Sequence, residues 1–585
     1  MTREKEILEI LRELTAVKSI SDTEDEHLAQ EYIEKRLKNQ EFFKRYLGQE
    51  ERGAGRLPLT GTFNIPGDYR NRKAVYGLAK GNSRKTLILM GHYDVVGVEE
   101  FGKWKEDAFS IDRLLEKIKL EGQENGYEEE AVKDAFSGEW IFGRGTADMK
   151  GGLAIGLAVL NEYGKRLLER NLKEELEENS EGNILFLAVP DEESYSSGMR
   201  GAVSLLDILQ EQYTLEYECL IDLEPNFIVE GKQEVFVGSV GKCMPVVLVQ
   251  GAKAHVGSCF QGINAVALLG EIFRRTEFSL EFADSFEGET CMPPVWLQLR
   301  DMKDEYDVSL PYRAGGYLNV LSFSETPEEI MRKLEKNARE ALKDYQKRQE
   351  QIWIEWKKRG ENISQKGESR CRENCPGAHL TVQVMFYEEL IEVCRKGRTE
   401  EFLLFYNNLY QEIERKIHAG QWNYPQAAME MMKSLLDYSG IGFPVILLAF
   451  APPFYPAFHS DKLGKGEQAG SCWYDMLERA GQELFGLELR KKHYFSGISD
   501  LSYCGISGNN RGIEFYGRQT PLWGKLYEID FRTIGKLNIP SILFGPVSKD
   551  IHQRTERVNR NSLIKEIPQI LFKLIEQMFA KNEVL

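Results

Sequence analysis

Histidine and acidic residues follow several apolar runs of this chain of 585 residues. His92 ends the run that starts at Leu87, and His552 lies shortly after a run near the C-terminus. Acidic residues follow the same run, follow other apolar runs or lie in a glycine-rich segment between them: Asp94, Asp148, Glu192, Glu193, Asp222 and Glu224. Imidazole nitrogens and carboxylate oxygens are the usual ligands of catalytic zinc. Their recurrence at successive strand ends therefore indicates a two-metal hydrolytic site.

His92 and Asp94 form a His-x-Asp pair. Side chains two residues apart lie on the same side of an extended chain. His92 is therefore a candidate metal ligand, and Asp94 is a candidate partner that holds its imidazole in one tautomer. The pair by itself is a weak signal, because buried structural histidines are commoner than metal-binding ones.

The segment Gly143-Arg-Gly-Thr-Ala-Asp-Met-Lys-Gly-Gly152 surrounds Asp148 with glycines. Glycine lets the backbone turn tightly, so Asp148 can reach a site that a bulkier loop could not. A phosphate-binding loop is the alternative for this segment. It lacks the Gly-Lys-Ser/Thr ending of such loops, and a central acidic residue would repel phosphate.

Glu192 and Glu193 follow the apolar run Ile184–Val189 and Pro190. Adjacent side chains of an extended segment point in opposite directions, so one glutamate can face a metal ion and the other the substrate. This division suits a metal ligand beside a general base. The alternative for the pair is a solvated acidic turn.

Asp222 and Glu224 end the next apolar segment, where Pro225 follows Glu224. The two acidic residues share strand parity, so the alternation of side chains does not choose between them. Either one is a candidate metal ligand.

The runs that carry these residues alternate with helical patterns. Residues 1–35 predict a helix with Ile7, Ile10 and Leu14 on its apolar face. Apolar runs that alternate with helices predict an α/β layered sheet, and ligands of such sheets gather beyond the carboxyl ends of the strands. The candidate residues lie at or just past those ends.

The pattern changes near Gly238, where a β-α-β-β-α-β order begins that is typical of a split βαβ sandwich. The sequence therefore predicts a catalytic domain in two parts, residues 1–237 and 388–585. An inserted α+β domain is predicted over residues 238–387.

The formal net charge of −17 argues against nucleic acid or an anionic membrane as the main partner. The charged start of the chain differs from a signal peptide, and no run approaches the length of a membrane span. The nine dispersed cysteines are typical of reduced thiols. We expect a cytoplasmic protein.

Together these motifs resemble the di-zinc hydrolases that include succinyl-diaminopimelate desuccinylase, acetylornithine deacetylase, peptidase T, carnosinase and the aminoacylases. The shared signatures are the strand ending in His-x-Asp, the glycine loop around Asp148 and the Glu-Glu pair. They cover most of residues 1–330 and return at the C-terminus. The resemblance implies an α/β, zinc-exopeptidase-type catalytic domain with a mixed sheet between helices. It also implies that the inserted domain is a ferredoxin-like lid or dimerisation domain.

By that resemblance, the chain binds two divalent ions, with zinc favoured over cobalt or manganese. The implied ligands are His92 and Glu224 for one ion, Glu193 and His552 for the other, and Asp148 as the bridge. Members similar to the desuccinylase carry Glu-Pro at this place, which favours Glu224 over Asp222.

The resemblance also implies catalytic roles. Glu192 would be the general base that takes a proton from water and delivers it to the leaving nitrogen. Asp94 would orient His92. His255 matches a histidine that stabilises the oxyanion, often in the active site of the partner subunit. The alternative for His255 is a surface-loop histidine.

Some segments exceed the length of ordinary members, among them Ile111–Ser137 and Glu388–Gly440. Others resemble the arginine-utilisation (RocB-like) subgroup. The expected function is hydrolysis of an amide, peptide or ureido C–N bond of a small amino-acid derivative, in a homodimer formed through the inserted domain. The alternatives are a dipeptidase and a metal-bound scaffold or regulatory protein with little turnover.

Overall fold

The computed structural model of the protein describes residues 2–46, 56–172, 181–303, 305–361, 374–464, 468–507 and 511–579. The chain forms two compact units. The first unit comprises Met1–Ser239, Phe458–Gly508 and Ile529–Leu585, and the second comprises Val240–Ala457 and Asn509–Glu528. The chain therefore leaves the first unit twice and returns to it twice.

The strands, in chain order, are β1 (Thr60–Asn64), β2 (Lys73–Ala79), β3 (Lys85–His92), β4 (Trp140–Phe142), β5 (Asn183–Val189), β6 (Glu216–Asp222), β7 (Ile228–Val229), β8 (Lys232–Phe236), β9 (Gly238–Ser239), β10 (Gly241–Gln250), β11 (Ser285–Phe286), β12 (Glu289–Thr290), β13 (Val295–Asp301), β14 (Arg313–Ser322), β15 (Gln383–Phe386), β16 (Val445–Tyr455), β17 (Phe458–His459), β18 (Leu489–Lys492), β19 (Ser541–Leu543), β20 (Ser548–Lys549) and β21 (Arg557–Asn559).

The α-helices are α1 (Arg3–Ala16), α2 (Glu26–Lys38), α3 (Glu41–Tyr46), α4 (Ile111–Glu121), α5 (Glu129–Ser137), α6 (Lys150–Leu172), α7 (Ser197–Tyr213), α8 (Ala265–Thr276), α9 (Pro327–Glu361), α10 (Tyr387–Arg395), α11 (Thr399–His418), α12 (Tyr424–Ser439), α13 (Ala469–Phe485), α14 (Arg511–Arg518), α15 (Phe531–Leu537) and α16 (Ile567–Phe579). Among the residues that the structure describes, none of the helices combines the length and the apolar character that a membrane crossing requires.

A mixed sheet of nine strands forms the centre of the first unit. Its order is β1-β2-β5-β3-β6-β19-β8-β18, and β7 pairs with β8 beside this path. β5, β3, β6 and β19 are parallel neighbours, whereas β1 and β2 are antiparallel. Helices such as α6 and α7 pack on the strands, which accounts for the almost continuous burial of β3 and β5. The predicted mixed sheet between helices is confirmed.

A small sheet of order β20-β21-β4 lies in the same unit. The antiparallel pair β21 and β4 joins residues near the C-terminus to the strand that precedes the glycine loop. Asp148 follows β4, and His552 lies in the turn between β20 and β21. This sheet therefore brings two candidate ligands together that are far apart in the sequence.

The N-terminal segment forms two helices, α1 and α2, where the sequence predicted one helix over about 35 residues. The predicted apolar face is correct, because Ile7, Ile10 and Leu14 are buried. The break falls in the polar segment Ser19–Asp25, where Ser19 and Asp22 have positive φ angles of 40° and 64°. A right-handed helix cannot continue through such residues.

The second unit contains a five-stranded sheet of order β13-β14-β10-β16-β15. The predicted β-α-β-β-α-β order is present as β10, α8, β13, β14, α9 and β15. An additional strand, β16, lies between β10 and β15, antiparallel to the first and parallel to the second. Since β16 completes this sheet, the compact unit runs to Ala457, beyond residue 387 where the sequence placed its end.

Gly152 lies in the first turn of α6, where this helix approaches the end of β6 closely. A Cβ atom at Gly152 would lie 2.1 Å from the carbonyl oxygen of Leu223. We expect Gly152→Ala to lower the free energy of unfolding by about 1–3 kcal/mol, the usual cost of overpacking. The measurement is denaturant-induced unfolding. Gly481→Ala, in α13 of the same unit, is the control, because its Cβ would meet no atom closer than 3.7 Å. Equal midpoints for the two variants would contradict so close an approach of α6 to the end of β6.

Candidate metal centre

His92 is the last residue of β3, and its imidazole is buried. Its Nε2 atom lies 3.0 Å from Oδ1 of Asp148 and 3.3 Å from Oε1 of Glu224. Glu224 follows β6, the parallel neighbour of β3. The parallel register of these strands therefore brings His92 and Glu224 to the same edge of the sheet.

His552 forms a second contact of the same kind. Its Nε2 atom lies 3.1 Å from Oδ2 of Asp148 and 3.1 Å from Oε2 of Glu193. Asp148 thus directs one carboxylate oxygen to each of two imidazoles. The His552 side chain is 48% exposed, in contrast to His92 at 1%.

These contacts fit metal ligands better than hydrogen bonds alone. A ring nitrogen carries at most one hydrogen, yet each Nε2 faces two carboxylate oxygens. Ligands of a tetrahedral zinc ion with bonds of about 2.0–2.1 Å lie about 3.3 Å apart. In addition, Oε1 of Glu193 is buried with no hydrogen-bond partner among the residues described. The donor set therefore fits two divalent ions that share Asp148.

Asp94 is fully buried. It contacts the His92 ring through its backbone carbonyl more closely than through its carboxylate. Nδ1 of His92 lies 2.9 Å from the backbone carbonyl oxygen of Asp94 and 3.5 Å from its carboxylate. The two carboxylate oxygens accept hydrogen bonds of 3.2 Å from the backbone N–H groups of Glu192 and Glu193. Asp94 therefore fixes both the His92 ring and the turn that carries the two glutamates.

Glu192 points toward the same centre, with Oε2 at 3.9 Å from Nε2 of His92. Glu192, His92 and Glu224 also form a group whose ligand atoms lie within 4.8 Å of one another. Burial raises the pKa of Glu192, and the carboxylates of Glu224, Asp500 and Glu193 raise it further, whereas His92 lowers it. The side chain therefore lies beside the candidate ligands, and its role as the general base stays a prediction.

Glu224 and Asp222, which strand parity could not separate, have different surroundings. Glu224 contacts His92, whereas Oδ2 of Asp222 accepts a hydrogen bond of 2.9 Å from the Ser499 hydroxyl. Burial raises the pKa of Asp222 to about 7. Asp500, the residue after Ser499, is also buried near these carboxylates.

His255 belongs to the second unit, whereas the residues described above belong to the first. It is exposed and precedes a short helical turn, where its Nδ1 atom accepts a hydrogen bond from the Gly257 N–H. Its predicted contact with the oxyanion stays a prediction.

Two residues that support Asp148 were not assigned a role from the sequence. Arg144 pairs with the carboxylate of Glu556 in the protein interior. Oε1 of Glu556 accepts hydrogen bonds from the N–H groups of Ala147 and Asp148 at 3.1 and 3.3 Å. Arg144 belongs to the glycine motif and could have been noticed there. Glu556 lies in no motif, so only the fold identifies it.

A second buried arginine, Arg72, supports the turn of Glu192 and Glu193. Arg72 pairs with Asp191 at 2.7 Å and with Glu26 at 3.1 Å. Asp191 also accepts hydrogen bonds from the N–H groups that follow the two glutamates. No sequence signal joins Arg72 to this turn, because 119 residues separate it from Asp191.

Comparison with known proteins gives matches over most of the chain. Residues 88–577 match peptidase family M20/M25/M40. The chain is 29% identical over 585 residues to uncharacterized protein YqjN of Bacillus subtilis (strain 168), covering 99% of this chain and 97% of that protein. It is 29% identical over 521 residues to protein RocB of the same organism, covering 87% and 85%.

The chain is also similar, over a shorter stretch, to a protein named as an enzyme. It is 27% identical over 268 residues to succinyl-diaminopimelate desuccinylase of Buchnera aphidicola subsp. Cinara cedri, covering 46% of this chain and 60% of that protein. These matches confirm the family resemblance predicted from the motifs, including its RocB-like branch.

The raised pKa values of the two histidines predict that metal binding releases protons. Hydrogen bonds to Asp148 and Glu193 raise the pKa of His552 to about 10 in the metal-free protein. Burial alone would lower the pKa of His92, but the nearby carboxylates raise it well above its usual value. His552 therefore carries a proton at pH 7 that a metal ion must displace, and the raised pKa of His92 acts in the same direction.

We expect zinc titration at pH 7 to release protons, and zinc affinity to rise as the pH rises from 6 to 8. Calorimetry in two buffers with different ionisation enthalpies measures the number released. His552→Asn should reduce that number, whereas His418→Asn, in α11 of the other unit, should leave it unchanged. A binding enthalpy that is independent of the buffer would contradict the charge assignment.

Proposed function

Because this chain belongs to peptidase family M20/M25/M40, we propose that it uses two divalent ions to hydrolyse an amide, peptide or ureido C–N bond of a small amino-acid derivative. The observation that carries the proposal is the position of Asp148, with one oxygen 3.0 Å from His92 and the other 3.1 Å from His552. A carboxylate shared in this way is what a two-metal site requires, since its ions lie about 3.5–4 Å apart.

The proposed ligands follow from the same contacts. His92 and Glu224 would hold one ion, Glu193 and His552 would hold the other, and Asp148 would be shared between them. Nitrogen and oxygen donors suit zinc, and cobalt or manganese are the alternatives that elemental analysis distinguishes.

The two ions, when bound, lower the pKa of a water molecule and polarise the carbonyl group of the substrate. Glu192 accepts the proton of that water and passes it to the leaving nitrogen, which would otherwise depart as an unstable anion. An acid–base group of this kind works best when its pKa lies near the operating pH. Burial raises the pKa of Glu192, and nearby cations lower it, so the opposing effects keep the carboxyl group able to exchange a proton.

Two further residues complete the proposed machinery. Asp94 holds the His92 ring through its carbonyl and holds the backbone of Glu192 through its carboxylate. A shift of Asp94 would therefore displace a ligand and the base together. His255 is proposed to stabilise the oxyanion, either in its own subunit or in a partner subunit.

The proposed substrate class is supported by two relatives. One desuccinylase of the family is named for removing a succinyl group from an amino-acid derivative. RocB is similar over 87% of this chain, which supports a substrate connected with arginine utilisation. A dipeptidase would instead require a free amino terminus in its substrate. A metal-bound scaffold would show no turnover.

Glu192→Gln tests the proposed mechanism. The side chain keeps its size but cannot exchange a proton, so we expect kcat to fall about 10²–10⁴-fold with two metal equivalents retained. The measurement is hydrolysis of N-acyl amino acids, dipeptides and N-carbamoyl amino acids, with metal counted by mass spectrometry. Glu193→Gln is the matched variant, because it should lose metal as well as activity. Unchanged kcat in Glu192→Gln would disprove the role of the base. Absence of turnover on every substrate would favour the scaffold.

We further propose that the protein forms a homodimer through its second unit. β13 is an edge strand of the five-stranded sheet, and Val295, Leu297 and Leu299 on it are 37%, 54% and 38% exposed. An exposed apolar edge strand is a ready surface for pairing with another chain.

Leu297→Glu should convert the dimer to a monomer, because a carboxylate on the edge opposes burial against a second copy. Light scattering with size-exclusion chromatography measures the mass. Leu404→Glu, in α11 of the same unit, is the control, since this leucine is 65% exposed on a helix. A monomeric natural protein, or a Leu297→Glu dimer, would contradict the proposal.

A further inference from the structure

One of the segments that the sequence predicts to be additional, Ile111–Ser137, folds as two helices, α4 and α5. Their apolar residues Leu114, Ile118 and Ala131 join a buried cluster with Trp104 and Phe142. The segment is therefore anchored on the strand β4, which precedes the glycine loop of Asp148. Because one face of these helices is packed in the interior, side chains on the opposite face also hold fixed positions and can orient the residues that they contact.

That other face of α5 carries acidic side chains that hold the end of β20 and the start of β21. Oδ2 of Asp134 accepts hydrogen bonds from Nε of Arg557 at 2.8 Å and from Nζ of Lys549 at 2.9 Å. Glu130 also accepts a hydrogen bond from Lys549, at 2.7 Å. Asp134 is mostly buried, so these charge-assisted bonds are stronger than surface ion pairs.

The turn between β20 and β21 needs such support. Asp550 and His552 have φ angles of 54° and 62°, a left-handed region that residues other than glycine seldom occupy. The buried guanidinium of Arg557 donates to the Asp550 carboxylate and, at 2.9 Å, to the carbonyl oxygen of Thr555. Arg557 thus connects Asp134 of α5 to both ends of the turn.

A second arginine of the turn also contacts the added segment. Arg554 donates to the carbonyl oxygens of Asn125 and Gly126, in the connection between α4 and α5. Its guanidinium lies 4.6 Å from the centre of the Tyr127 ring. The segment therefore holds the turn on both sides of His552.

The same turn ends at Glu556, which supports the backbone of Asp148. Asp148 and His552 therefore both depend on structure next to the added segment. His92 and Glu224, in contrast, extend directly from strands of the central sheet.

We infer that α4 and α5 form a brace that positions His552 and thereby sets the affinity of the metal position formed by Asp148, Glu193 and His552. This inference rests on the proposed two-metal function. The brace acts by fixing the orientation of His552, whose side chain is half exposed and whose backbone has a positive φ angle. The two metal positions are consequently unequal, and the braced position depends on residues that do not touch the metal.

Asp134→Asn tests the brace, because it removes the charge that holds Arg557 and Lys549. The probe is Zn²⁺, titrated into metal-free protein against a competing chelator. We expect one of the two zinc equivalents to bind about 10–100-fold more weakly, which is the usual effect of removing a residue that supports a metal ligand. The other equivalent should keep its affinity, which also shows that the protein is folded.

Glu129→Gln is the matched control. It makes the same change of carboxylate to amide on α5, but Glu129 pairs only with the exposed Lys133 one turn away among the residues described. We expect both equivalents to bind as in the natural protein. Asp134→Glu, which keeps the charge, should restore part of the lost affinity.

Lys549→Met provides a second variant on the opposite side of the same contact, should Asp134→Asn fold poorly. It should weaken the same equivalent by a smaller factor, because Arg557 still holds Asp134. Equal affinity of both equivalents in these variants, or equal weakening of both, would overturn the brace. A natural protein that binds fewer than two equivalents would instead overturn the proposed function.

Discussion

Asp148 directs its two carboxylate oxygens to two different imidazoles, and the rest of the centre is arranged around this contact. His92 approaches from the central sheet and His552 from the turn beside the small sheet. Bringing several carboxylates together in the interior is unfavourable without cations between them. Burial and neighbouring carboxylates accordingly raise the pKa values of Glu192, Glu193 and Glu224. In the proposed metal centre, bound cations would therefore stabilise the fold as well as take part in the reaction.

The loops that carry these groups are held by ionic contacts in the interior. Arg144 and Glu556 fix the backbone of Asp148, while Arg72 and Asp191 fix the turn of Glu192 and Glu193. Removing one partner of such a buried pair typically costs about 3–5 kcal/mol, because the other charge is left uncompensated. These pairs define where the ligands lie before any metal binds, which lowers the cost of ordering them afterwards.

The sequence identified the ligand candidates because metal chemistry restricts residue types and because strand ends restrict their positions. The apolar runs that begin at Leu87 and Ile184 lie in β3 and β5, and the apolar segment before Asp222 and Glu224 forms β6. Strand parity left Asp222 and Glu224 as alternatives, and their contacts separate them, because Glu224 meets His92 and Asp222 meets Ser499. The compact second unit runs beyond residue 387, the predicted end of the inserted domain, because β16 pairs with β10 across about 200 residues, a distance that local patterns do not encode.

The amino-acid sequence by itself determined the family and the mixed α/β class, and it supplied the candidate metal ligands. Each of these follows from local periodicity or from short motifs whose chemistry is specific. Only the tertiary structure decided which oxygen meets which nitrogen, and which residues hold the ligands in place. Arg72, Glu556 and Asp134 show the reason. Their partners lie 119, 408 and 423 residues away along the chain, and such contacts exist only after the whole unit has folded.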